Sequence, residues 1–173
     1  MSSSNEGKDE AIKWIKETFN QGAACLDVGA GDGKWSDLLR DYLTMDAVEA
    51  FAPNVTNNHL YNKYRNTFIA DIRAFKYKYY DLIIFGDVLE HMSTEDARRV
   101  IEYARPRCSY MLVAVPYKWP QGAIYGNPYE VHIQDDLTPE IFNERYPGFI
   151  CIYQSYNYAY YISGGGQNSE GDT

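Results

Sequence analysis

The chain has 173 residues, 45% of them hydrophobic, which suits one globular domain with one core. Its net charge of −8 argues against a partner held by its phosphate backbone, so nucleic acid is not an expected partner. No stretch approaches the roughly 20 apolar residues of a membrane span, so no membrane partner is expected either.

The polar start, residues 1–8, has no apolar signal core and reads as a disordered N-terminus. Three scattered cysteines, Cys25, Cys108 and Cys151, each sit in or beside an apolar run. They read as small buried core residues in a reducing compartment, and a cytoplasmic location is expected. A first helix is predicted over 9–19, with Ile12, Ile15 and Phe19 on one face, and Gly22 breaks it. Residues 24–28 form a first strand, which runs into Gly29-Ala30-Gly31-Asp32-Gly33. A helix over 34–43 follows, its apolar face carrying Trp35, Leu38, Leu39, Tyr42 and Leu43. A short strand over 47–50 contains Glu49, and a weak helical stretch covers 54–64. A third strand over 67–70 ends at Asp71.

The apolar run 80–85 fits the centre of a parallel sheet. Ser93 then caps a helix, with Asp96 three residues on, Ala97, Val100, Ile101 and Ala104 as its apolar face, and Pro106 as its stop. A fifth strand over 110–115 ends at Pro116. The stretch 117–136, broken by Pro120, Gly122, Gly126 and Pro128, reads as a loop. Thr138 caps a short helix with Pro139 at its first position. Strands over 149–156 and 158–163, joined by a tight turn at Asn157, make a hairpin and are therefore antiparallel. The Gly/Asn/Ser-rich residues 164–173 read as a flexible tail.

Five α/β alternations and a hairpin describe an α/β, doubly wound, mostly parallel seven-stranded sheet with a C-terminal antiparallel β-hairpin, in one domain over 9–163. Its ligand is expected outside the carboxyl ends of the strands. The glycine turn after the first strand lets backbone approach a ligand and aims N–H groups at it. Asp27, Glu49 and Asp71 stand at the ends of three successive strands. Glu49, 22 positions after Asp27, suits a pair of ribose hydroxyls, since a carboxylate offers two acceptor oxygens. A merely solvated strand-end acid is the alternative. The glycine spacing differs from the G-x-G-x-x-G of dinucleotide sites, and Asp32 in the turn would repel a pyrophosphate. A cationic cofactor without phosphate would not be repelled.

In the segments L-D-V-G-A-G-D-G (26–33), V-E-A (48–50), A-D-I (70–72) and Y-D-L-I-I-F-G-D-V-L-E-H (80–91), the chain resembles the class I S-adenosylmethionine (SAM)-dependent methyltransferases, small single-domain enzymes of Rossmann-like fold. The resemblance extends over 9–163. It implies SAM as cofactor, with Gly29, Ala30 and Gly31 near its methionine part and Glu49 on the ribose. It places Ala50 and Phe51 beside the adenine, and Asp71 and the Ile72 backbone on the adenine edge. Asp87 would line the methyl-donor pocket. Asp27 would work through the turn, by tying down the loop or by contact.

Methyl transfer needs an aligned acceptor and, for some acceptors, a group that takes its proton. A small molecule is the expected acceptor. Candidates to face it are Glu90, His91, Tyr117, Trp119, Tyr125, Tyr129 and Glu130, with His132 as general base or orienting group. A structural role competes for His91. Asp87, Glu90, His91 and His132 also resemble the metal-binding set of the small-RNA 3′-end 2′-O-methyltransferases, although Asp87 stands where that family has Glu. A SAM-binding or assembly module without catalysis is a further alternative; an NAD-type dehydrogenase is disfavoured by the glycine spacing and the hairpin.

Overall fold

A computed structural model describes residues 4–164, so residues 1–3 of the expected N-terminal disorder and 165–173 of the expected tail lie outside the described residues. One seven-stranded sheet forms the molecule, in the order β3-β2-β1-β4-β5-β7-β6. The parallel strands are β1 (Ala24–Val28), β2 (Thr44–Glu49), β3 (Asn66–Ile69), β4 (Tyr80–Gly86) and β5 (Cys108–Pro116). Strand β7 (Tyr158–Gly164) runs antiparallel to both β5 and β6 (Ile150–Gln154).

The central strands β1, β4 and β5 are buried on both faces, as their near-continuous apolar runs require, whereas the edge strands β3 and β6 are largely exposed. Along β4 and β5 the side chains alternate between two cores. Ile83, Phe85, Met111 and Val113 meet α4 (Thr94–Ala104) and α5 (Pro139–Arg145). Leu82, Ile84, Leu112 and Ala114 meet α1 (Lys8–Thr18), α2 (Lys34–Leu39) and α3 (Ala52–Asn57). The predicted caps form: Ser93 Oγ accepts from Asp96 N at 3.1 Å, and Thr138 Oγ1 accepts from Ile141 N at 3.2 Å. The strand order reverses between β1 and β4, and their carboxyl ends open a crevice there.

Several boundaries differ from the sequence expectation. Helix α2 stops at Leu39, not at 43, leaving Leu38 half exposed, and β2 begins at Thr44. Asp46 inside β2 looks unlike a strand residue, yet it is buried and accepts from both Arg65 and Asn66 and from Tyr80 Oη. The stretch 54–64 is not one helix: α3 ends at Asn57, and His59 at φ +52° separates it from a 3-10 turn, Leu60–Asn62. Cys151 is exposed, unlike Cys25 and Cys108. Helix α1 begins at Lys8, whose side chain is buried with Nζ 4.3 Å from the Trp35 ring centroid.

Candidate functional site

The carboxyl ends of β1, β2 and β4 and the loop after β5 enclose a cavity of about 460 Å³. Its first wall is the turn after β1. Gly29 and Gly31 have φ of +67° and +55°, a region L side chains avoid. A Cβ on Gly29 would also lie 2.8 Å from Val88 Cγ2. The turn is held from behind: Gly29 N donates to Val48 O at 2.8 Å, and Asn58 Nδ2 donates to Gly31 O at 2.9 Å. Asp32 Oδ1 accepts from Lys34 N at 3.1 Å, so this acid itself occupies an N–H that a phosphate would need.

Glu49, the last residue of β2, forms the second wall. It accepts from Gly31 N and from Phe51 N, each at 2.8 Å. The Asn54 side chain is a third partner, and a carboxylate with four acceptor sites keeps capacity for a ligand hydroxyl. Burial raises its carboxyl above the ordinary value, and the two backbone N–H groups counter part of that rise. Gly29, Ala30, Gly31, Glu49, Ala50, Asp71, Ile72 and Asp87 all line the cavity. Asp71 is paired with Arg73, which donates from Nη2 at 2.5 Å and from its backbone N at 2.9 Å.

Asp27 and Phe51, also expected at the cofactor, do not line the cavity. Asp27 follows Leu26 by one position and so points to the opposite face, where Tyr64 Oη donates to it at 2.5 Å. Burial pushes its carboxyl up to about 7. Asp27 therefore points away from the cavity, with Tyr64 as its hydrogen-bond partner in place of a ligand. Phe51 contributes its backbone N–H to Glu49.

The wall expected to face an acceptor is built by the loop after β5 docking on the 3-10 turn Leu89–His91. The backbone N–H groups of Ile133 and Gln134 donate to Glu90 O at 2.8 and 3.0 Å. The buried Gln134 amide donates to Leu89 O and Met92 O, and accepts from Tyr146 Oη at 2.7 Å. These bonds carry His132 to His91 across 41 positions of sequence, ring centroids 4.7 Å apart. Glu90, His91, Trp119, Tyr129, Glu130 and His132 line the cavity, with Gln121 and Asn127 beside them. Burial raises the Glu90 and Asp87 carboxyls and lowers both imidazoles.

Tyr117 is a correction: it is buried in the core under α5, its hydroxyl bonded to that of Tyr161, and it does not reach the cavity. Counting by twos from Val113 and Val115 places it on that face, a signal the loop reading missed. Tyr125 is 96% exposed and lies outside the cavity. Asp87 is held by Tyr158 Oη at 2.6 Å and does not join Glu90, His91 and His132. Residues that sequence reasoning did not place here are Tyr158, Trp35 and, from the N-terminal segment, Ser4 and Glu6. Trp35 Nε1 is buried without a hydrogen-bond partner among the described residues, a donor left over at the cavity.

A profile described as a methyltransferase domain matches residues 6–136. No curated protein matches the chain. Among solved structures, DhpI in complex with SAH superposes with a TM-score of 0.72 at 13% identity, over 94% of this chain and 86% of that one. A SAM-dependent methyltransferase from Clostridium acetobutylicum gives 0.69 at 11% identity, over 91% and 90%. The magnesium protoporphyrin IX methyltransferase ChlM from Synechocystis, with bound SAH, gives 0.62 at 17%, over 91% and 81%. At these identities the likeness is one of fold. Among the described residues no helix is long and apolar enough to cross a membrane.

Proposed function

The chain belongs to the methyltransferase-domain family, and on that premise we propose that it transfers a methyl group from SAM to a small-molecule acceptor. The observation that carries this reading is that Glu49 and the Glu90–His91–His132 group face one cavity, of the size of a small-ligand site. Donor and acceptor sides are thereby joined.

The residues present fit SAM. Acids line the cavity in excess of its two cations of fixed charge, Lys34 and Arg73, which favours a cationic ligand. Glu49 would take the ribose hydroxyls, and Asp71 with the Ile72 backbone would take the adenine edge. The unused Trp35 N–H suits an anionic end such as an amino-acid carboxylate. Bound there, SAM supplies an electrophilic methyl on sulfur. The rest falls to the chain. Gly29 and Gly31 let the backbone close on the donor. Asp87, fixed by Tyr158, holds the pocket floor. His132 donates Nδ1–H to Trp119 O at 2.5 Å, so its Nε2 lone pair is available to orient an acceptor or take its proton. Trp119, Tyr129 and Glu130 favour a neutral or cationic, partly apolar acceptor. The free state of all three cysteines suits a reducing cytoplasm.

Calorimetry with SAM, SAH and NAD, followed by labelled methyl transfer to a metabolite panel, tests the reading. Binding of SAM and SAH but not NAD, with label reaching an acceptor, is the expected result. Absence of SAM binding would overturn it; SAM binding without transfer to any acceptor would leave a binding module in place of an enzyme.

A further inference from the structure

Three acceptors converge on the acceptor side of the cavity with no donor among them. Glu90 is fully buried, and among the described residues neither of its carboxylate oxygens has a hydrogen-bond partner. An ionised carboxylate in that position is costly without a compensating cation or donor. His91 Nδ1 lies 3.1 Å from Val131 O, and His132 Nδ1 lies 2.5 Å from Trp119 O. A carbonyl only accepts, so both Nδ1 atoms carry the proton, and both Nε2 atoms keep a lone pair. His91 Nε2 stands 3.9 Å from Glu90 Oε1. One ligand atom from each of the three residues lies within 4.8 Å of the others.

We propose that Glu90, His91 and His132 bind a divalent first-row transition ion of the zinc class. Two imidazoles and a carboxylate select such an ion over magnesium or calcium, which prefer all-oxygen shells. Bonds of about 2.1 Å around a tetrahedral ion place ligand atoms about 3.4 Å apart, so the three close on it by modest inward shifts. Each imidazole already has the outer support that metal-binding histidines use, an Nδ1–H held by a backbone carbonyl. Three protein ligands with an open position mark a catalytic rather than a structural site, and the open position belongs to the cavity that Glu49 shares. An acceptor oxygen is the group such a position takes. With the ion seated, His132 Nε2 is a ligand and no longer a base, so its two roles exclude each other.

The ion site does not depend on SAM binding, and its test is separate. Untagged protein, freed of metal by a chelator and dialysed, is titrated with Co²⁺ followed by its visible d–d absorption, then with Zn²⁺ in competition. The expected result is one ion per chain, with affinity falling at least tenfold in His91→Ala, His132→Ala and Glu90→Gln. Circular dichroism of each metal-free variant checks that it folds; His132 is partly exposed, so its variant gives a clean answer even if Glu90→Gln does not fold. No binding at micromolar metal, or binding that His91→Ala and His132→Ala leave unchanged, would overturn the proposal. Calorimetry with SAM on the metal-free protein reports on the cofactor reading independently.

Discussion

Replacing Glu49 by Gln separates the ligand role of this side chain from its structural one. The carboxylate accepts Gly31 N and Phe51 N at 2.8 Å each, and its remaining lone pairs face the cavity. Gln keeps one accepting oxygen but sets an NH₂ against the other backbone N–H. Losing one charge-assisted bond costs about 1.5–3 kcal/mol. Against that, burial has raised the Glu49 carboxyl, so a neutral side chain removes a desolvation cost that acts in the opposite direction. The two effects oppose, so urea unfolding should show a loss smaller than that of the bond alone, below about 3 kcal/mol. Binding has no such offset. A ribose hydroxyl that loses a charged acceptor weakens by about 1.5–3 kcal/mol, and at 1.4 kcal/mol per decade SAM and SAH affinity should fall about 10- to 100-fold. Calorimetry measures the affinity, and urea titration monitored by tryptophan fluorescence measures the stability. A variant that binds SAM within threefold of wild type would refute the assignment of Glu49 to the ligand.

Asp27→Asn should make stability less dependent on pH. Burial raises the folded-state value to about 7, above about 3.9 in an unfolded chain, so the folded protein keeps a proton that the unfolded chain has released. Stability from that proton is full below about pH 4 and is lost as pH rises toward about 7. The variant should therefore gain on wild type by about 1.4 kcal/mol per pH unit between pH 5 and 7, then level off; a difference flat across that range in urea titrations would remove the argument. Gly29→Ala should lose about 1–2 kcal/mol from its left-handed backbone alone, more with the 2.8 Å approach to Val88, and should lower SAM affinity. Gly122→Ala, with nothing within 4 Å, is the control. Equal unfolding midpoints for the two variants would contradict the tight-turn reading.

The elements of this fold are written locally. Apolar runs at 80–85 and 110–115, the glycine cluster after β1, and caps at Ser93 and Thr138 act within a few residues, so spacing and residue type suffice to place them. The acids at Glu49 and Asp71 were legible for the same reason, because a strand end in a parallel sheet faces the crevice. Other boundaries depended on partners elsewhere. Asp46 is a strand residue only because Arg65, Asn66 and Tyr80 satisfy its carboxylate.

The sequence by itself determined the sheet, its switch point and the glycine-turn corner of the cavity, because period, turn chemistry and chain order act over short distances. Tertiary structure alone decided which titratable groups share a cavity. Asp27 turns to the far face and binds Tyr64, while Tyr158 arrives from β7 to fix Asp87. Gln134 docks a distant loop and brings His132 to His91 beside a Glu90 carboxylate that has no hydrogen-bond partner among the described residues. Those meetings follow from packing between segments 37 to 71 positions apart, and no local pattern encodes them.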